Sequence, residues 1–188
     1  YGFYQQHKQP VLIGAAVVVA LIVGVSAYFG YAERQRAAAA AALEDATRLF
    51  HGVVTTEERG GVVTFTTSGE RYRRTTEAME AVKSDYPGSK TAAAADYYIA
   101  LLEVEQQQNA EARTRLEGMI GKADTTYASL ARLTLAGLLA DEGNFDEART
   151  HYQTLIDEPT PVVPAVRAKL EMARAMARTD PSGARALL

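Results

Sequence analysis

A short phrase that recurs at a fixed interval constrains this chain more than any other feature. The phrases are Glu111-Ala112-Arg113, Glu147-Ala148-Arg149 and Gly183-Ala184-Arg185. Their alanines are 36 residues apart both times, and an apolar residue follows each alanine by four positions. These apolar residues are Leu116, Tyr152 and Leu188. A repeat of this length predicts a stack of helix pairs, because a single pair cannot bury its own apolar face.

An uncharged apolar segment precedes the repeats. Residues 11–30 are almost wholly apolar, and as a helix they extend about 30 Å, the thickness of a bilayer core. Tyrosine and phenylalanine lie at both ends of the segment, which is typical of rings at membrane interfaces. We predict a transmembrane helix over residues 11–31, after a flank of residues 1–10. The alternative is a cleaved signal peptide with Val25-Ser26-Ala27 as its cleavage site, but the apolar stretch is longer than usual for one.

Small residues recur every four positions along the predicted span, at Ala16, Ala20 and Gly24. Such a stripe lets another membrane helix approach closely, so it is a candidate helix-packing face. The alternative is that the stripe has no role, because a span rich in alanine and valine contains such stripes by chance. The absence of charge within the span argues against a channel, a pump or a proton relay.

Two segments of different character connect the span to the repeats. Residues 32–51 are predicted to form a helical stalk, since residues 37–42 are a run of alanine, the best helix former. Gly52 is expected to end this helix. Residues 52–68 contain several valines around Gly60-Gly61, and we predict a loop insertion there, with a short hairpin as the alternative.

The repeat region is predicted to cover residues 69–188. Thr67 and Glu70 have the spacing of a capping box, which marks the start of a helix. Glu77-Ala78 within that helix reads as a degenerate copy of the recurring phrase. Residue 1 is Tyr rather than Met, and the last residue falls inside a repeat, so we expect further chain at both ends.

The middle repeat resembles the signature of the tetratricopeptide repeat (TPR). The matching residues are Gly143, Phe145, Ala148 and Tyr152. Glycine permits the tight turn between the two helices, the alanine is small where the helices cross, and the tyrosine fills the gap to the next pair. The first repeat departs from this pattern, because Gln107 replaces the turn glycine and Glu103 stands where an apolar residue such as Leu139 is expected.

The resemblance covers roughly residues 70 to 188 and implies an all-α fold. The predicted architecture is a single N-terminal transmembrane helix followed by a TPR-like α-solenoid of antiparallel helix pairs. This layout is similar to that of the bacterial ancillary translocon-subunit family and of other TPR proteins of the bacterial envelope. The resemblance implies a single-pass protein of the inner membrane whose repeat domain lies in the periplasm and acts as a scaffold or adaptor for protein partners.

A second function is compatible with the same layout. The chain could be a constitutive accessory subunit of a large membrane complex, such as a photosynthetic or respiratory assembly. It would then dock through its transmembrane helix, using the stripe of Ala16, Ala20 and Gly24. The partners in that case are integral-membrane proteins rather than periplasmic ones.

The first helices of the repeats carry a candidate partner groove. Its residues are Tyr97, Leu101, Leu130 and Leu133. Some TPR domains hold a partner's C-terminal carboxylate with lysine and asparagine on these helices, and that clamp is absent here. An apolar groove would suit an amphipathic helix or an extended apolar segment. The alternative is that these residues simply pack within the stack.

Nothing in the sequence points to catalysis. The chain has no cysteine, which excludes disulfides, thiolate zinc sites and a cysteine nucleophile. Its three histidines, His7, His51 and His151, lack metal-ligand spacing, and no nucleophile motif or glycine-rich phosphate loop is present. A net charge of −3 gives no reason to expect nucleic acid. We therefore predict a protein that is not an enzyme, with no cofactor, metal or small-molecule substrate. We interpret Arg71, Arg73 and Arg74 as a solvated helix face, with a contact to acidic lipid or to a protein partner as the alternative.

Overall fold

The computed structural model describes residues 8–55, 60–122, 125–177 and 179–187, with side chains described from residue 17 onward except at Ala20. These residues form eight α-helices and two short strands. The elements are α1 (Lys8–Phe50), β1 (Val53–Val54), β2 (Thr64–Phe65), α2 (Ser68–Asp85), α3 (Lys90–Glu105), α4 (Asn109–Ile120), α5 (Thr125–Asp141), α6 (Phe145–Asp157), α7 (Ala165–Met176) and α8 (Pro181–Ala186). From α2 to α8, consecutive helices pack against each other. The predicted all-α fold with an apolar N-terminal helix and solenoid-like packing is confirmed.

The chain divides into two compact units, residues 1–41 and residues 42–188. In the first unit, α1 is the one helix of the described chain that is long and apolar enough to cross a membrane. Its described apolar side chains are exposed, from Val17 to Tyr31. Of the predicted small-residue stripe, the side chains of Ala16 and Ala20 lie outside the described residues. Gly24 lies on an open helix surface, with no atom within 4 Å of where a Cβ would stand.

The second unit begins with residues 42–50 of α1, which pack with α2 and α3. The buried side chains of this part are Ala46, Met79, Val82, Ala95 and Ile99. On α2 the buried residues Thr75, Met79 and Val82 have the same spacing as Ala112, Leu116 and Met119 on α4. The end of α1 and α2 therefore stand in place of a further helix pair. The predicted copy of the phrase at Glu77-Ala78 is wrong in register, because Ala78 is half-buried and Thr75 takes the buried small-residue position.

A larger core lies among α3 to α7. Its fully buried members include Leu116, Ala131, Leu135, Leu139 and Ala168. The alanines of the recurring phrase, Ala112, Ala148 and Ala184, are 0%, 2% and 5% exposed. Leu116 and Tyr152, four residues after the first two alanines, are also buried, and Phe145 is half-buried against this core. Leu188 lies outside the described residues.

The turns within the first two pairs have the same backbone conformation although their sequences differ. Gly143 has φ +87° and Gln107, 36 positions earlier, has φ +61°. In both turns the next N–H donates to a carbonyl five residues back: Asn144 to Leu139 and Gln108 to Glu103, each at 2.8 Å. This is the Schellman ending of a helix, which favours glycine at the left-handed position. Gln107 holds the conformation with a side chain that disfavours it.

The insertion between α1 and α2 contains a small parallel ladder. Val53 pairs with Thr64 and Val54 with Phe65, so the alternative of a hairpin is wrong, since hairpin strands are antiparallel. Residues 56–59 lie outside the described chain. Phe65 is 1% exposed, and a Cβ at Gly52 would clash with its ring. Gly52 therefore allows the Phe65 ring to pack directly against the backbone that follows α1, where a larger residue would clash.

The capping box at the start of α2 has one expected hydrogen bond, with Thr67, and one that is made with Thr66 instead. As expected, the Glu70 N–H donates to the Thr67 hydroxyl at 3.1 Å. The Glu70 carboxylate, however, accepts from the Thr66 N–H at 3.1 Å and from the Thr66 hydroxyl at 2.8 Å, rather than from the Thr67 N–H. These hydrogen bonds, with a smaller effect of Arg74, lower the pKa of Glu70.

Replacing Gln107 by glycine should stabilise the protein. Gln107→Gly removes the left-handed strain but adds freedom to the unfolded chain, so we expect a net gain of about 0.5–1 kcal/mol in the free energy of unfolding. Thermal and denaturant unfolding of the full chain in mild detergent measures it. The neighbouring Gln106 has φ −84°, so Gln106→Gly is the matched control and should destabilise. An equal effect of both substitutions would contradict the strain at Gln107.

Candidate functional site

The first helices of successive pairs, α3, α5 and α7, lie beside one another. Helix α3 packs against α5, and α5 packs against α7, in addition to their contacts with the second helices. Each of these helices has exposed or half-buried apolar side chains, and we call this set of residues the first-helix face. Its members are Tyr97, Leu101, Leu130, Val166 and Leu170.

The four predicted groove residues are placed differently on this face. Leu133 is 9% exposed and belongs to the core. Tyr97 and Leu130 are half-buried against that core. Leu101, one helical turn after Tyr97, is also half-buried. Burial of Leu133 within the stack removes it from the surface that a partner could reach.

The structure adds two residues to the face that sequence reasoning did not assign to the groove. Val166 is 74% exposed and Leu170 is 37% exposed, both on α7. Leu170 lies 37 positions after Leu133, the same offset that relates the buried Ala131 and Leu135 of α5 to Ala168 and Met172 of α7. The repeat offset therefore contained the signal for Leu170, whereas it pairs Val166 with the buried Ser129 and gives no signal for Val166. The spacing on α7 is one turn, which places the two side chains on the same side of the helix.

A row of aromatic rings crosses from the end of α1 to α5. Phe50 contacts Tyr98 with ring centroids 4.9 Å apart, and Tyr98 lies 6.5 Å from Tyr97. Tyr97 in turn lies 6.3 Å from Tyr127. The Tyr97 hydroxyl is within 3.0 Å of the Thr134 hydroxyl, which ties α3 to α5. Tyr98 packs with the smaller core and Tyr97 with the larger one, so α3 connects the two.

An ion cluster explains why Glu103 replaces an apolar residue. Glu103 is 5% exposed and accepts hydrogen bonds from Arg115 at 2.8 to 3.1 Å. Arg115 also donates to Asp96 at 2.7 Å, and Asp96 pairs with Lys83 at 2.8 Å. The hydrogen bonds that Arg115 donates to Glu103, followed by the one that it donates to Asp96, raise the pKa of Arg115. The expected apolar contact is thus replaced by a bidentate pair whose charges satisfy each other.

A cavity of about 960 Å³ lies beside this ion cluster, between the α2–α3 turn and α4. Small residues form much of its wall, including Ala92, Ala93, Ala110 and Gly118. Lys83, Asp96, Glu103 and Arg115 reach its surface already paired with one another. Within the described parts of the chain, no group of three or more His, Cys, Asp or Glu side chains is arranged to hold a metal ion.

The interpretation of Arg71, Arg73 and Arg74 as a solvated face is wrong for Arg71. Its side chain is 11% exposed, donates to the Phe50 carbonyl at 3.0 Å and pairs with Glu105. It therefore ties the last turn of α1 to α2 and α3. Arg74 lies 5.5 Å from the centre of the Phe65 ring, and Arg73 pairs with Glu77 at 3.1 Å.

The recurring phrase itself connects one pair to the next. Arg113 of the first phrase donates to Glu147 of the second phrase at 2.7 Å. It also pairs with Glu117 on its own helix at 2.8 Å. In the third phrase Gly183 takes the place of the glutamate, so Arg149 does not meet the corresponding acid there.

A family model described as tetratricopeptide repeat-like domain matches residues 2–159. The chain belongs to this family. The match runs through the described part of α1 and through the TPR-like pairs α3/α4 and α5/α6, so it includes the apolar helix as well as the repeats. Searches of curated proteins and of solved structures returned no match to the chain.

Breaking the ion cluster of the first TPR-like pair should destabilise the domain. Glu103→Gln removes the charge of the most buried of the three carboxylates that pair with Arg115, so we expect a loss of about 1–3 kcal/mol in the free energy of unfolding. Glu77 pairs with Arg73 at the surface, with both side chains 63% exposed, so Glu77→Gln should cost less than about 1 kcal/mol. Denaturant unfolding compares the two variants. Equal losses would show that burial does not strengthen the cluster.

Proposed function

We propose that this chain is a single-pass membrane protein whose TPR-like domain binds protein partners beside the membrane and carries out no catalysis. The observation that carries the proposal is that one family match includes both the apolar helix and the repeats. Because the match begins at residue 2, the apolar segment is part of what this chain shares with the family. TPR-like repeats bury their apolar surface in stacking and offer the remaining face to other chains.

The exposed part of α1 supports the membrane anchor. Val18, Leu21, Ile22, Val25 and Phe29 are each more than half exposed, and the apolar window of the helix is 0% buried. A run of this kind is unfavourable in water, because each exposed large apolar side chain forgoes about 1.5–3 kcal/mol of burial. A bilayer removes that cost, and a helix leaves no backbone group unpaired within it.

The first-helix face supports protein binding rather than small-molecule binding. Its apolar side chains come from three successive first helices of the stack, with at least one exposed or half-buried residue on each. An amphipathic helix or an extended apolar segment fits a surface of this kind. We infer that Leu101, Leu130 and Val166 make contact with the partner.

We further propose that the protein belongs to the bacterial cell envelope, with its N-terminus in the cytoplasm and its repeats in the periplasm. The similarity in layout to the ancillary translocon-subunit family supports this location. In that setting the protein would act as an adaptor for translocon or envelope-assembly factors. Protease treatment of spheroplasts tests the orientation, since periplasmic repeats would be digested without lysis.

A charge in the middle of the span should abolish membrane integration. Val18→Arg together with Ile22→Arg introduces two arginines, each costing about 2.5–3.5 kcal/mol at a span centre. We expect the variant to leave the membrane on alkaline carbonate extraction, while the unchanged protein stays. Ala38→Arg, on an exposed stalk position, is the control and should remain membrane-bound. Retention of the double variant would contradict the anchor.

Partner binding is tested by a photo-crosslinker at Leu101 and, as a control, at Arg149 on the exposed side of α6. We expect specific crosslinks from Leu101 only, and Leu101→Ser should weaken binding roughly tenfold by removing an apolar contact. Mass spectrometry of a mild-detergent pull-down identifies the partners and their ratio.

Translocon or envelope components crosslinked at Leu101 would support the adaptor. Equal crosslinking from Leu101 and Arg149 would contradict binding at the first-helix face. A fixed ratio to integral-membrane proteins, with no crosslink from Leu101, would instead support an accessory subunit docked through Ala16, Ala20 and Gly24.

A further inference from the structure

Each helix pair has an equivalent set of three side-chain positions, which we call its notch, and successive pairs carry different residues there. The notch of the first pair holds Asp96, Glu103 and Arg115, where Arg115 meets two carboxylates. A shift of 36 residues leads to the equivalent positions of the second pair. These are Arg132, Leu139 and His151.

The second notch lacks the carboxylates of the first. His151 is half-buried on α6, and its Nδ1 atom is buried without a hydrogen-bond partner among the described residues. Leu139 is fully buried where the first notch has Glu103. Arg132 takes the place of Asp96, and its positive charge acts on the imidazole of His151. The surroundings that neutralise a cation in one pair are therefore replaced by an apolar side chain and a second cation.

The charged groups that face His151 come from three helices. They are Arg113 and Glu117 on α4, Arg132 on α5 and Glu147 on α6 itself. Both acids are already bonded to Arg113, at 2.8 Å and 2.7 Å. Helix α7 also packs against α6; there Glu171 pairs with Arg174 at 2.9 Å, and Arg167 donates to the Val162 carbonyl. None of these groups is hydrogen-bonded to the Nδ1 atom of His151.

We propose that the contact of α6 with α4 and α5 is pH-responsive, and that protonation of His151 loosens it. The neutral ring can keep its proton on Nε2 and leave Nδ1 as an unpaired acceptor. Protonation puts an N–H on Nδ1 where no acceptor lies, and it adds a positive charge beside Arg132. Both effects act only on the folded protein, because the unfolded chain exposes the ring to water.

Burial and, after it, the charge of Arg132 lower the pKa of His151 below its ordinary 6.5. As the pH falls through about 6.5 the unfolded chain binds a proton first, so the folded state loses stability from there down to the folded pKa. Above that range the contribution is constant. Within it, the unfolding equilibrium constant changes by up to about tenfold per pH unit for one group.

The test compares unfolding of the full chain in detergent from pH 8 to pH 5 with three substitutions. Between pH 7 and pH 5.5 we expect the unfolding equilibrium constant of the unchanged protein to rise by up to about tenfold more than that of His151→Gln. His51→Gln alters an exposed histidine and should keep the full pH dependence. Arg132→Asp restores the acid of the first notch and should weaken or reverse the pH dependence, since it favours the protonated ring.

Two-dimensional NMR of the histidine Cε1–H resonances gives a second readout that needs no variant to fold. A His151 pKa clearly below 6.5, with amide exchange in α6 accelerating as His151 titrates, would support the proposal. A His151 pKa at or above 6.5 would overturn it. The same pH dependence in His151→Gln and the unchanged protein would also overturn it.

Discussion

The packing of the two helices in each pair is the contact on which the rest of the repeat domain depends. A small buried side chain recurs at the equivalent position of each pair: Ala112, Ala148 and Ala184 in the later pairs, and Thr75 on α2. The side chains four positions after Ala112 and Ala148, which are Leu116 and Tyr152, are buried in the core that successive pairs share. Each pair therefore completes the core of the next, and no pair is stable by itself.

Packing between the helices leaves polar groups at the edges of the stack, and these groups need hydrogen-bond or ion-pair partners there. Arg113 bridges two successive phrases, and Arg71 ties the end of α1 to α2 and α3. The notch is filled differently from pair to pair, with an ion cluster around Arg115 in the first and an imidazole whose Nδ1 atom has no partner, that of His151, in the second. One backbone architecture thus accepts chemically unlike fillings, provided that buried charges find partners.

Much of the fold could be predicted, because helix periodicity and turn chemistry are local. The 36-residue interval, the glycine at position 143 and the capping pattern at Thr67 specify helices and turns within a few residues of themselves. The candidate face was only partly predictable. Leu101 and Leu130 are half-buried, Leu133 is buried, and the exposed Val166 was not predicted. Exposure on one helix depends on how closely its neighbours pack, which a single stretch of sequence does not encode.

The sequence by itself determined the helical repeat, the apolar N-terminal segment and the burial of residues such as Ala148, since each depends on spacing along one chain segment. Tertiary structure alone decided which charges are satisfied. In the sequence Glu103 interrupts the apolar pattern, but in the structure it accepts hydrogen bonds from Arg115, which also donates to Asp96. The sequence predicts a solvated Arg71, whereas in the structure Arg71 donates to the Phe50 carbonyl. The physical reason is that the energy of a buried charge depends on partners distant in sequence, and only folding brings those partners within hydrogen-bonding distance.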